Sequence, residues 1–199
     1  MNKNDIERFA RAEEIIINQG IPYRLSHLTE FPYKTLDELK NAHKYKEIMF
    51  ESDFNGELLH VIGSKSDIVA NMFWLFLPII IVLADIVLAI VFKKWILLLG
   101  ILFVLIGYLS SSPYNQLKNS VSGLGGLFFI GSFFFLDWTW SIIIGSMLFS
   151  QIFTLTAREQ CRTVIKERAL KSEIFFVYML KNSYLAVRDT KTAKLYQAK

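Results

Sequence analysis

The chain has 199 residues, of which 53% are apolar and 15% aromatic, and its formal net charge at pH 7 is +4. Soluble domains are about 45–50% apolar, whereas residues 69–157 contain few charged residues: Lys93, Lys94, Lys118, Asp85 and Asp137. This distribution excludes an ordinary soluble globule and predicts an α-helical integral membrane protein with polar ends. Cys161 is the single cysteine, which excludes an internal disulfide.

Residues 1–67 predict an N-terminal cytosolic region with two helices and a strand pair. The segment Asn4–Glu7 is typical of a capping box at the start of the first helix. Thr35–Glu38 is a second capping box, which opens a predicted helix of about 14 residues. Asn55-Gly56 is a frequent hairpin turn between two apolar runs. These runs predict two paired strands, at 48–50 and 58–62.

Residues 68–157 predict a four-span helical bundle. A span of about 18 residues is roughly 27 Å long, close to the thickness of the hydrocarbon core. An alternative joins the last two spans into one segment, but Asp137 beside Trp138 and Trp140 is typical of a membrane interface, where Trp is enriched. The predicted spans cover 68–92, 95–112, 119–136 and 138–157, with a turn at 113–116.

Four spans place both termini on one side of the membrane. The count of Lys and Arg near the span ends favours the cytoplasmic side for the termini. We therefore expect a multi-pass protein of a prokaryotic inner membrane, with its N- and C-termini in the cytoplasm. Lys93 and Lys94 argue against this orientation, because they lie at a predicted outer tip.

Residues 158–199 predict a C-terminal cytosolic helix followed by a β-hairpin. Apolar residues at helical spacing extend span four beyond residue 157, and the segments 173–180 and 184–189 are typical of strands. Residues 1–68 hold 9 basic and 12 acidic residues, a net −3, whereas 158–199 hold 10 basic and 4 acidic, a net +6. Because each flank alone is small for a stable core and their charges are opposite, we expect both termini to form one mixed α/β domain.

Asp85 is the sharpest candidate site. An acidic residue within a membrane helix costs about 2.5–3.5 kcal/mol on insertion scales, and by default it marks function. Eight residues inward from Lys93 lies Asp85, and eight residues inward from Asp137 lies Gly145-Ser146, so Asp85 and Ser146 are at a similar depth. Pro78 leaves the carbonyl of Trp74 without its helical donor, and Gln151 lies at a similar depth. This intramembrane polar site either holds the bundle together or binds a proton or cation.

Small residues on spans three and four predict close contacts between helices. They form a smooth face on span three and a small-xxx-small pair on span four: Ser122, Gly123, Gly126, Gly131, Ser141 and Gly145. The face on span three fits packing within the chain or, as the alternative, a contact between subunits of a homo-oligomer. Oligomerisation is also how so small a bundle encloses a pore.

A run of basic residues follows span four: Arg158, Arg162, Lys166, Arg168 and Lys171. Its expected role is contact with the lipid bilayer, worth about 1 kcal/mol per charge near anionic headgroups. Contact with an acidic protein partner or with nucleic acid is the alternative. Direct contact with nucleic acid is disfavoured, because no aromatic side chains are interleaved in this helix for base stacking.

No catalytic, metal-binding or cofactor-binding motif is present. His27, His43 and His60 lack the short spacing of metal-binding pairs. We expect a non-enzymatic accessory or effector protein, for example in a defence or stress system, that oligomerises to alter membrane permeability or anchors a cytosolic protein partner. The alternative is a proton- or cation-coupled transport component that uses Asp85, and an enzyme acting on lipid ranks third.

Overall fold

The computed structural model describes residues 3–18, 20, 24–28, 31–52, 55–111 and 117–197. The turn predicted at 113–116 lies outside these residues. The helices are α1 Lys3–Asn18, α2 Leu36–Lys44, α3 Gly56–Ile62, α4 Lys65–Val91, α5 Leu99–Ser110, α6 Leu117–Phe135, α7 Trp138–Ala169 and α8 Glu173–Lys181, with short 3-10 helices at Leu25–His27 and Trp95–Leu98. The strands are β1 Ile48–Ser52, β2 Leu185–Asp189 and β3 Leu195–Tyr196.

The chain divides into two compact units. The first unit is built from both ends of the chain, Met1–Val69 and Glu159–Lys199, and the second from Ala70–Arg158. The helices α4 and α7 therefore each contribute residues to both units. The division agrees with the abrupt change in charge density along the sequence.

A three-stranded antiparallel sheet joins the two ends of the chain in the first unit. The strand order is β1-β2-β3, and the β1–β2 register runs from Ile48 opposite Asp189 to Ser52 opposite Leu185. A strand from the acidic flank thus pairs with a strand from the basic flank. This pairing is the association of the two termini that their opposite charges predict.

An aromatic and aliphatic core fills the first unit. Phe175 and Phe176 of α8 are completely buried. The Phe176 ring lies 5.8 Å from that of Phe31 and 6.0 Å from that of Phe50, between centroids. Further buried side chains in this core are Leu25, Leu39, Ile48, Ile62, Ile165, Met179 and Leu185.

Two segments predicted as strands are helices. Segment 58–62 lies in α3, because Asn55 caps a helix instead of turning a hairpin: its Oδ1 accepts from the Leu58 N–H at 2.8 Å. Segment 173–180 lies in α8, where the side chain of Ser172 accepts from the Phe175 N–H. In both segments an N-cap and burial of one helix face override the β propensity of the aromatic and β-branched residues. The segment 184–189 forms strand β2 as expected, and the chain adds the short β3.

The capping box predicted at Thr35 is present. Glu38 N–H donates to Thr35 Oγ1 and Thr35 N–H donates to Glu38 Oε2, each at 3.3 Å. The helix has 9 residues instead of about 14, because the chain turns at Tyr45 and Lys46 adopts a φ of 58°. Asn4 of the other predicted capping box lies within α1, and the side-chain contacts of that box lie outside the described part of the structure.

Among the described residues, two helices are long and apolar enough to cross a membrane, α4 with 27 residues and α7 with 32. The other two apolar helices are shorter, and the four-span bundle stays a prediction. The alternative that joins the last two spans is wrong, because α6 ends at Phe135 and α7 begins at Trp138. Helix α7 continues to Ala169, as the extended apolar stripe predicts.

The second unit exposes apolar side chains and buries polar ones. The exposed large side chains of α4 follow helical spacing: Met72, Phe73, Phe76, Ile79, Ile80, Leu83, Val87 and Ile90. On the opposite face of the same helix, the polar residues Asn71 and Asp85 are buried. Monomeric soluble proteins rarely expose contiguous apolar surfaces of this extent.

Candidate functional site

A buried seam runs along α4 at intervals of seven residues. Asn71, Pro78 and Asp85 are buried along this helix, with Ala89 one turn further on. Asn71 Nδ2 donates to the Ala157 carbonyl of α7 at 2.6 Å. Because α4 and α7 meet at Asn71 and again at Asp85, they pack against each other in opposite directions.

Asp85 belongs to this seam and is 2% exposed. Ser146 Oγ of α7 donates to Asp85 Oδ1 at 3.1 Å, and the same hydroxyl lies 3.0 Å from the carbonyl oxygen of Ile142. Asp85 Oδ2 is buried and has no hydrogen-bond partner among the residues that the structure describes. The structure thus brings Asp85 and Ser146 together, as their similar depth in the predicted spans indicates. One oxygen of the Asp85 carboxyl has no hydrogen bond.

Helix α5 covers the other side of Asp85 through a glycine. A methyl group on the Gly100 Cα would lie 2.3 Å from Asp85 Oδ2, so a larger residue here requires the Asp85 side chain to move. Seven residues further along α5, a methyl group on Gly107 would lie 2.2 Å from the Met147 carbonyl oxygen of α7. Sequence reasoning missed both glycines, although their seven-residue spacing matches that of the α4 seam.

The polar residues of α7 continue the seam along the second unit. Ser150 Oγ donates to the Val104 carbonyl of α5 at 2.9 Å, and Thr154 Oγ1 donates to the Ser150 carbonyl at 2.8 Å. Gln151 is buried in the same stretch. Its hydrogen bond to the carbonyl of Trp74, expected because of Pro78, stays a prediction.

The small residues of span three occupy both open and packed positions, and their role in packing or in an oligomer contact stays a prediction. Gly123, Gly126 and Gly131 have open space where a side chain would be, and Ser122 is exposed. Among the described residues, Gly125 is the glycine of α6 that faces another helix, since an added methyl group there would meet Met147 and Leu148. The predicted pair on span four does pack: Ser141 Oγ lies 2.8 Å from Ser132 Oγ, and Gly145 faces the ring of Phe129.

A polar cluster joins the two predicted outer tips. Lys94 Nζ donates to both carboxylate oxygens of Asp137, at 2.9 and 3.0 Å, and to Thr139 Oγ1 at 3.1 Å. The ammonium also lies 4.6 Å from the centre of the Trp138 ring. Hydrogen bonds from Thr139 and Lys94 lower the pKa of Asp137 to about 2. The tips therefore lie at the same end of the second unit, as the predicted topology requires.

The basic run after span four has mixed roles. Arg158 Nη1 donates to the Ser111 carbonyl, at the C-terminal end of α5, at 3.0 Å. Arg168 is buried, and its Nη2 donates to Asp67 Oδ2 at 3.0 Å, which corrects its assignment as a headgroup contact. Lys171 is exposed, and Lys166 and Arg162 are partly so. Headgroup contact stays a prediction for these three.

These observations define a mainly helical protein that has two helices able, by length and composition, to cross a membrane, together with a small three-stranded sheet. No protein-family model, curated protein or solved structure matches the chain. In the part of the chain that the structure describes, no group of three His, Cys, Asp or Glu side chains is placed to hold a metal ion. The function is therefore argued from the contacts of these residues alone.

Proposed function

We propose that this chain is a multi-span inner-membrane protein that acts as a non-enzymatic accessory or effector. Its second unit anchors it in the bilayer, and its first unit, on the cytoplasmic side, receives a protein partner. The observation that carries this proposal is the outward apolar face of α4 beside the buried Asn71 and Asp85. Lipid removes the cost of exposing such a face, and buried polar groups join helices within a membrane.

Four crossings are consistent with the dimensions of the shorter helices. The 3-10 turn at Trp95–Leu98 and α5 together rise about 26 Å, and the 19 residues of α6 rise about 28 Å. Both lengths are close to a hydrocarbon core of about 30 Å, and small mismatches cost fractions of a kcal/mol per Å. The contact between Lys94 and Asp137 favours an even number of crossings between the two tips.

Thiol labelling tests both the membrane location and the orientation. A Cys161→Ala background carries either Lys93→Cys at an outer tip or Lys191→Cys in the exposed turn before β3, and intact cells receive an impermeant thiol reagent. We expect the protein to stay in the membrane after alkaline extraction, position 93 to react in intact cells, and position 191 to react only after lysis. Extraction into the soluble fraction contradicts the membrane location, and the reverse labelling contradicts the orientation.

Self-association is the second part of this proposal. The open face at Gly123 and Gly126 lets another helix approach closely, which is how small residues act in membrane helix pairs. An oligomer built on this face is the form in which the protein would alter permeability. Mass determination in detergent tests it, with Gly126→Leu expected to dissociate the oligomer. A wild-type protein that is strictly monomeric contradicts this part.

Proton- or cation-coupled transport through Asp85 is the second candidate. The observation that favours it is the buried and unpartnered Oδ2 of Asp85, since such residues in membrane helices commonly lie on ion or proton pathways. Flux of protons or monovalent cations into reconstituted vesicles, compared between the wild type and Asp85→Asn, tests this candidate. Equal flux in the two proteins contradicts it.

A further inference from the structure

We propose that Asp85 is a reversible proton-binding site, and that the bound proton closes the seam between α4, α5 and α7. This inference rests on the proposed membrane location. It deepens the second candidate function, because it names the proton, and not a metal cation, as the ligand of Asp85. It follows from three features of the site: the hydrogens available at Ser146, the space at Gly100, and the absence of a compensating charge.

The Ser146 hydroxyl has one hydrogen for two close acceptors. Its Oγ lies 3.1 Å from Asp85 Oδ1 and 3.0 Å from the Ile142 carbonyl oxygen, and a serine hydroxyl donates once and accepts up to twice. With an ionised Asp85, one of these contacts lacks a hydrogen. With a proton on Oδ1, Asp85 donates to Ser146 and Ser146 donates to Ile142, so that each contact has its own donor. The proton therefore completes a chain of two hydrogen bonds.

The space at the second carboxyl oxygen excludes a metal cation in this arrangement. The Gly100 backbone lies so close to Oδ2 that a methyl group on its Cα would be 2.3 Å away. A cation needs several oxygen ligands at bonding distance, whereas the Ser146 hydroxyl is the one hydrogen-bond partner of this carboxyl among the described residues. A proton needs no such shell. Oδ2 then has the character of a neutral carbonyl oxygen, which a weak contact from a glycine Cα–H suits.

No opposite charge compensates an ionised Asp85. Helix α5 and residues 138–157 of α7 carry no Lys, Arg, His, Asp or Glu. Tyr108 is the titratable residue of α5, and it lies eight residues from Gly100 and is exposed. At the neighbouring tip, Lys94 and Asp137 bind each other, and Lys93 is exposed. Ionisation therefore leaves a buried charge without a partner, which favours admission of water or displacement of α5 from Asp85.

Infrared spectroscopy of the protein in lipid vesicles and in detergent detects the proton directly. We expect a C=O stretching band of a protonated carboxyl at pH 7, with an amplitude of one group per chain in the difference between the wild type and Asp85→Asn. Ser146→Ala removes the acceptor of the proton and shifts this band. Ser150→Ala is the matched control and leaves it in place, because Ser150 bonds to Val104 instead.

The outcomes of this experiment test the proton site and the membrane location separately. A carboxylate band at pH 7 in place of the acid band overturns the proton site, and so does an acid band that both serine variants shift equally. If Asp85→Asn does not fold, the shift in Ser146→Ala against Ser150→Ala still decides the assignment. Failure of the protein to enter vesicles overturns the membrane location, whereas an embedded protein with an ionised Asp85 overturns only the proton site.

Discussion

The two units of this chain bury opposite kinds of residue. In the first unit, aromatic and aliphatic side chains such as Phe175, Phe176 and Leu39 are completely buried, and most charged residues are exposed. In the second unit, serine, threonine, asparagine and aspartate are buried, while phenylalanine, leucine and isoleucine cover the outside. One chain thus contains a fold suited to water and a fold suited to an apolar solvent.

The contrast shows which interactions hold each unit together. Burial of apolar surface from water stabilises the first unit, at about 25 cal/mol per Å². This term is absent between helices that are already in lipid, so close backbone packing and hydrogen bonds must replace it. Gly100 and Gly107 supply the close packing, and Asn71, Ser146 and Ser150 supply the hydrogen bonds.

Truncation of a buried phenylalanine in the first unit has the largest expected effect on the free energy of unfolding. We expect no comparable effect for an exposed phenylalanine in the second unit. Phe176→Ala leaves a cavity in a completely buried site and should lower the free energy of unfolding by about 3–5 kcal/mol. Phe134→Ala is the matched control, because Phe134 is 77% exposed in the second unit and should change stability by about 0.5 kcal/mol or less. Urea titrations of both variants in detergent measure this. Equal losses would mean that both units bury phenylalanine in the same way.

A lysine on the outer face should harm only the second unit. Ile80→Lys places a charge near the middle of α4 on a side chain that is 55% exposed, and we expect a cost of about 2.5–3.5 kcal/mol for membrane insertion. Met49→Lys, at a side chain 58% exposed on the edge strand β1, should be neutral. The fraction of each variant that reaches the membrane gives the comparison. Normal insertion of Ile80→Lys would show that water contacts this face.

Two glycine substitutions should have opposite signs. Gly107→Ala forces α5 away from the Met147 carbonyl and should destabilise the second unit by about 1–3 kcal/mol. Gly123→Ala meets open space and should be neutral or stabilise α6 by up to about 1 kcal/mol, because alanine is the better helix former. Thermal denaturation in detergent distinguishes them. A more stable Gly107→Ala would contradict the close packing of α5 on α7.

Acidification should weaken the sheet of the first unit by a small amount. The hydrogen bond from Arg188 lowers the pKa of Glu51 from its usual 4.5, although desolvation opposes this. Because the pKa is lower in the folded state, the stabilisation is complete above pH 4.5 and is lost as the pH falls through the folded-state value. For an exposed pair we expect about 0.2–1 kcal/mol. Arg188→Met should remove this loss below pH 4.5; an unchanged pH dependence would assign it to other groups.

Features encoded by neighbouring residues could be predicted from the sequence. The capping box at Thr35 and Glu38 and the break between α6 and α7 at Asp137 depend on local signals. The contact between Asp85 and Ser146 could also be predicted from the sequence, because the depth of a residue in a span follows from its distance along the chain from a charged tip. The strands expected at 58–62 and 173–180 failed where a single capping side chain and tertiary burial outweighed β propensity.

The inward faces of the apolar helices could not be predicted. A helix that contacts lipid on one side and other helices on the other is apolar all round, so its hydrophobic pattern does not distinguish the two sides. For this reason the sequence does not separate the open positions Gly123 and Gly126 of α6 from the closely packed Gly100 and Gly107 of α5. Beside the polar residues of α4 and α7, the seven-residue spacing shared by α4 and α5 is a local signal of the buried seam.

Spin-label accessibility along α4 tests the central claim, that the outer face of the second unit contacts lipid. Labels are placed singly at Ile79, Leu83 and Ala89, with Tyr45 as the water-exposed reference, in a Cys161→Ala background in vesicles. We predict high collision rates with oxygen and low rates with a water-soluble nickel chelate at positions 79 and 83, and low rates with both at position 89. Nickel collision rates at positions 79 and 83 that match those at position 45 would contradict the account.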